Sequence, residues 1–99
     1  MDFLKEYNFT EEEINEVLNA NSKSIINNII LNKENVCEII DYFLALDLEQ
    51  ETIKKMFKLQ IGIFFKTKKE LIDAFEEYEM ESIIKSLNYD VNTFDLIEF

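Results

Sequence analysis

The segment ELIDAFEEYEMES carries Glu70, Asp73, Glu76, Glu77, Glu79 and Glu81, and closely spaced carboxylates are residues from which a general acid and base can be drawn. Such a dyad needs a cleft that drives the two pKa values apart. Nothing in the segment supplies one, and a solvated helix face accounts for the same spacing, so catalysis is not expected. The chain has no histidine, which removes the usual neutral-pH base and the commonest transition-metal ligand, and with them the Ser-His, Cys-His and zinc templates. The single Cys37, in NVCEII, can form neither an internal disulfide nor a cysteine zinc site, and its apolar neighbours mark a buried, inert thiol. DVNTFD, from Asp90, has the outline of a calcium loop, but Phe94 stands at its fifth position and the turn glycine is missing, so it reads as a capped turn. With one glycine in the chain, Gly62, there is no loop to cradle phosphates, and that residue marks a helix end or a close backbone approach. No cofactor and no metal are expected.

Charge is the strongest signal. KKMFKLQIGIFFKTKK, residues 54 to 69, holds six of the ten lysines and no carboxylate. Taking those six from the net charge of -11 leaves -17 on the rest of the chain. A surface at -17 around a positive island repels a polyanion over a Debye length of ~8 Å at physiological salt. The chain also lacks arginine, and so lacks bidentate phosphate and guanine contacts. Direct nucleic-acid binding is therefore not expected. The partner implied is another protein with a basic surface, met by Asp73, Glu76, Glu77, Glu79 and Glu81, of which Asp73, Glu76 and Glu77 share a polar face by their spacing. The rival patch is Lys54, Lys55, Lys58, Lys68 and Lys69, around a buried connection of Ile61, Ile63, Phe64 and Phe65.

The elements that must position these charges are legible as helices. At 99 residues and 47% hydrophobic, with nine Phe and fourteen Ile, the chain can form one core. One glycine and no proline leave few devices for tight hairpins, so the expected fold is a single all-α domain over residues 1–99, a compact bundle or short array of five to seven short helices. Capping boxes pair Thr10 with Glu13, Asp47 with Gln50, and Thr67 with Glu70. Each opens an apolar stripe: Ile14, Val17 and Leu18; Ile53, Met56 and Phe57; Leu71, Ile72, Phe75 and Tyr78. Asn32 stands as a fourth cap, and the tail forms a last turn capped by Asn92. Phe57, Phe64, Phe75, Ile40 and Phe43 are the expected core. The start has no secretory apolar region and no run is long enough to span a bilayer, which sets the expectation of a cytoplasmic protein without a membrane partner. The Ile, Lys and Asn bias with no Arg suggests an AT-rich gene, as in a low-GC bacterium or its phage.

FTEEEINEVL from Phe9 aligns with LEQETIKKMF from Leu48 at an offset of 39, and a degraded third unit starts at Tyr78, about 30 residues on. That is two and a half helical repeats. The stretch LDLEQETIKKMFKLQIGIFF followed by a helix from Thr67 resembles the mitochondrial transcription termination factor repeat, over about residues 7 to 88. In that family the turn glycine stands where Ala45 or Leu46 is found here, and its proline near Gln60 is absent. The resemblance implies an all-α solenoid and, as an implication of the family alone, nucleic-acid binding. The charge distribution points elsewhere: to a non-enzymatic acidic inhibitor or antagonist, of the immunity, antitoxin or phage anti-defence kind, that covers a basic surface of its target. A cytosolic helical adaptor or scaffold is the alternative, with a termination-factor-like module third.

Overall fold

Thr10 and Thr67 cap as their spacing requires. The computed structural model describes residues 1–99, and in it the Thr10 hydroxyl accepts from Glu13 N at 3.1 Å while Glu13 Oε1 accepts from Thr10 N at 2.9 Å, opening α1 (Glu11–Ala20). Thr67 and Glu70 make the same reciprocal pair at 3.2 and 3.1 Å ahead of α5 (Lys68–Phe75). Ser22 caps α2 (Lys23–Leu31) through Ile25 N, and the carboxylate of Glu79 caps α6 (Met80–Tyr89) through Ser82 N. The remaining α-helices, α3 (Lys33–Ala45) and α4 (Gln50–Leu59), begin without a side-chain cap. Three 3-10 helices complete the chain: η1 (Asp2–Tyr7), η2 (Ile61–Phe65) and η3 (Val91–Leu96). There is no strand, and the fold is all-α as its composition requires.

Three of the expected caps make no side-chain N-cap bond. Asp47 is not an N-cap but a left-handed residue, φ 70°, in the turn that closes α3, with Asp47 N bonded to Leu44 O and Leu48 N to Phe43 O. This is a Schellman closure, in which the αL residue lets the chain fold its amides back on the orphan carbonyls. Asn32 stands at the junction of α2 and α3: its carbonyl accepts from Val36 N at 3.0 Å in the first turn of α3, while its side-chain amide turns back to Asn28 O at 2.8 Å instead of capping. In the tail the capping oxygen belongs to Asp90, which accepts from Asn92 N at 2.9 Å.

The repeat has a geometric counterpart. Asn8 is the other residue with positive φ, 65°, and its neighbourhood repeats the α3 closure 39 residues earlier, with Asn8 N bonded to Lys5 O and Phe9 N to Leu4 O. Phe9 and Leu48 are both buried behind these turns, and the ten-residue helices α1 and α4 follow each of them. From α4 to α6 the offset is 30. Gln50–Leu59 then Ile61–Phe65 is matched by Met80–Tyr89 then Val91–Leu96, a ten-residue helix, one spacer and a 3-10 helix each time. The chain is thus two full units and a shorter third.

The units share one core of 25 apolar residues. α4 lies at its centre, packed on α1, η2 and η3, while α3 packs on α2, η2 and α5. Phe57 stacks on Phe64 at 4.1 Å between ring centroids and takes the edge of Phe9 at 5.5 Å. Phe43 meets Phe75 at 6.3 Å and Phe94 at 5.8 Å. Phe57, Phe64, Phe75, Ile40 and Phe43 are all buried, as their spacing predicts. The connection after α4 is only partly so: Ile63 and Phe64 are inside, Ile61 is half-buried and Phe65 is 41% exposed. Five residues wound as a 3-10 helix have three per turn, so they cannot all face one way. Leu18 and Ile72 lie at the edges of their stripes and are exposed, and Cys37 is half-buried instead of enclosed. Gly62 has nothing within 4 Å of where a Cβ would stand and no positive φ, so no close approach demands it. The molecule measures 35 × 22 × 22 Å, with a radius of gyration of 12.9 Å.

Candidate functional site

The lysines of the stretch are largely engaged by other side chains of the same molecule. Lys54 Nζ lies 3.0 Å from Glu13 Oε2 on α1 and 3.5 Å from Glu51 on its own helix, and its side chain is only 14% exposed. Lys58 reaches Glu16 of α1 at 3.0 Å. Both lysines bridge from α4 to α1, so the charged edge of α4 straps the first unit to the second. Lys69 pairs with Asp73 one turn along α5 at 3.0 Å. Lys66 sits over the Phe99 ring at 4.5 Å, and Lys68 lies 5.8 Å from the Tyr42 ring centre. Lys55 is exposed and has no ion-pair partner. Lys54, Lys55, Lys58, Lys68 and Lys69 therefore do not form one free basic face.

The strap shows in the acid-base balance of its members. Glu13 is held below the ordinary carboxylate range, first by the Thr10 backbone N–H and then by the Lys54 ammonium, which is in turn raised by Glu13.

The acidic residues of the second half are all exposed, but they differ in how free they are. Asp73 is paired with Lys69. Glu79 is committed to the start of α6, where the Ser82 side chain and backbone N–H hold its carboxyl below the usual range. Glu76 and Glu77 lie beyond the last residue of α5, but Glu76 keeps helical backbone angles and its N–H still bonds Ile72 O at 3.2 Å. They and Glu81 have no hydrogen-bonded or ion-paired partner for their carboxylates. Asp73 and Glu77 also line a shallow groove with Glu70, Glu98, Ala74 and Phe99. No group of three or more His, Cys, Asp or Glu side chains is disposed to hold a metal ion.

A larger open groove, of about 680 Å3, lies between the α3–α4 turn and α6. Ala45, Leu46, Met80 and Ile84 give it an apolar lining, and Asp47, Glu49, Glu81 and Lys85 stand around them. Its two walls are fastened by Asn88. The Asn88 Oδ1 accepts from Glu49 N at 2.9 Å and from the Thr52 hydroxyl at 2.8 Å, and its Nδ2 donates to Asp47 O at 3.2 Å. Thr52, 3% exposed, is the one buried polar residue of the chain.

Sequence reasoning missed Asn88 and its equivalents. Asn21 clips Phe57 O at 2.8 Å, Asn35 clips Lys66 O at 2.9 Å, and Gln60 reaches Asp95 at 3.0 Å. Each amide joins one unit to another across 31 to 36 residues of chain. The only local signal was the number of side-chain amides beside helix ends. Tyr7 adds a link of the same reach, its hydroxyl donating to Asp41 at 2.9 Å, and burial with that bond pushes its pKa up. No helix is long and apolar enough to cross a membrane. Comparison with protein-family models, with curated proteins and with solved structures found no match to this chain.

Proposed function

We propose that this chain is a non-enzymatic protein-binding protein whose acidic surface covers a basic surface of its target, in the manner of an inhibitor that competes with phosphates there. One observation carries the reading. The ion pairs engage five of the 21 acidic side chains and four of the ten lysines. Sixteen carboxylates are left against six lysines, and the densest positive stretch is the part most consumed. What faces a partner is therefore strongly negative, and a clustered negative surface speeds encounter with a basic cleft. Glu76, Glu77 and Glu81 are the contact residues favoured by their freedom, with Asp73 and Glu79 beside them.

The test is the association rate with a captured basic protein across ionic strength. Glu76→Lys with Glu77→Lys should slow association far more at low salt than at high, because exposed charges act mainly by steering. The control is Lys55→Glu with Lys68→Glu, since Lys54 and Lys58 hold α1 to α4. An unchanged rate for the carboxylate reversal at low salt would sink the reading. A helical adaptor is the second reading, supported by Leu31 at 81% and Leu18 at 40% exposure. It requires association that salt leaves unaltered.

A further inference from the structure

In the groove between the α3–α4 turn and α6, unpaired carboxylates stand beside exposed apolar surface. We infer that it is a docking groove for a basic amphipathic helix, whose apolar side chains enter between Leu46 and Met80 while its lysines or arginines meet Asp47, Glu49 and Glu81. This rests on the acidic-surface reading above and names the part of the partner it takes. Three carboxylates against Lys85 give the rim an excess of negative charge, and none of the three is bonded elsewhere, so the complementary occupant is cationic. The lining calls for an aliphatic anchor. Met80 is 36% exposed, Leu46 is half-buried, and a flexible thioether adapts to varied apolar shapes.

The other common modes of peptide capture do not fit. An all-α domain has no sheet edge to extend, the lining has no aromatic ring for a polyproline segment, and phosphopeptides need arginines. Helix-in-groove docking remains. The walls are also set before binding, because Asn88 ties Asp47 and Glu49 of one to α6 of the other, and a preformed site loses less to ordering.

The experiment uses the full chain and three labelled synthetic peptides of one amphipathic pattern: leucine with lysine, leucine with glutamate, and serine with lysine. Anisotropy reads affinity, and methyl and backbone amide resonances read the place. The leucine–lysine peptide should bind best and shift Leu46, Met80 and Ile84. Leu46→Ser with Met80→Ser, or Glu49→Lys with Glu81→Lys, should each weaken it roughly tenfold or more. Leu18→Ser with Ile30→Ser, at the separate exposed apolar patch of α1 and α2, should leave it unchanged. Equal binding of the leucine–glutamate peptide would overturn the inference. Equal binding of the serine–lysine peptide, with shifts at Glu76 and Glu77 but none in the groove, overturns the groove while leaving the acidic-surface reading standing. If neither lysine peptide binds, both fall.

Discussion

Asn88 holds three groups from a neighbouring unit with one side chain, and its removal should show what that is worth. Asn88→Ala leaves the Glu49 amide without its acceptor and the buried Thr52 hydroxyl unpaired. Stranding buried polar groups costs about 1 to 3 kcal/mol, which chemical denaturation would read as a lowered midpoint. Adding Thr52→Val should recover part of the loss, because the stranded hydroxyl goes too. Glu13 makes a different residue-scale statement. Its folded pKa lies below the ordinary glutamate value of 4.5, so the stability it contributes is complete above that value and is lost as pH falls through the depressed one. Melting temperature followed into acid should therefore fall less for Glu13→Gln than for the natural chain. Discharge of the other carboxylates is common to both proteins and drops out of the difference.

Among the elements, the helices were readable where their signals are local and unreadable where they are not. Thr10 and Thr67 reach only three residues ahead to Glu13 and Glu70, and both boxes form. Asp47 with Gln50 has the same spacing, yet α3 runs to Ala45 and needs a left-handed residue to close it. Asp accepts that conformation more readily than most residues, and the backbone requirement overrides the cap. The inward face of α4 was equally plain from its stripe, whereas in α5 Leu71 and Phe75 turn inward, Ile72 stays at the exposed edge and Tyr78 lies past the helix end. Phe75, 1% exposed and set among Tyr42 and Phe43, is the anchor of α5, and Phe75→Ala should cost about 3 to 5 kcal/mol in equilibrium unfolding. Wild-type stability in that variant would contradict the packing. The groove could not be read in advance, because its walls come from segments distant in sequence, and Asn88, which fastens them, has partners 36 to 41 residues away.

The whole molecule carries its net charge of -11 on a body 22 Å thick, so the unpaired carboxylates sit within a few Debye lengths of one another. Self-repulsion of this kind weakens the compact state. Raising ionic strength from low to physiological should raise the melting temperature, even though the five ion pairs are screened too, since they are outnumbered by the carboxylates left free. A fall would mean that the pairs dominate. The strap from α4 to α1 has a last consequence, in chemical reactivity. An amine attacks an acylating reagent only when unprotonated and reachable, and Lys54 is neither: Glu13 raises its pKa, and its side chain is 14% exposed. Its neighbour Lys55 is exposed and unpaired. Under limiting reagent, peptide mass mapping should find Lys55 modified well before Lys54. The slow labelling of Lys54 then becomes a clock for the lifting of α1 from α4, and equal labelling of the two would show that the first unit spends much of its time undocked.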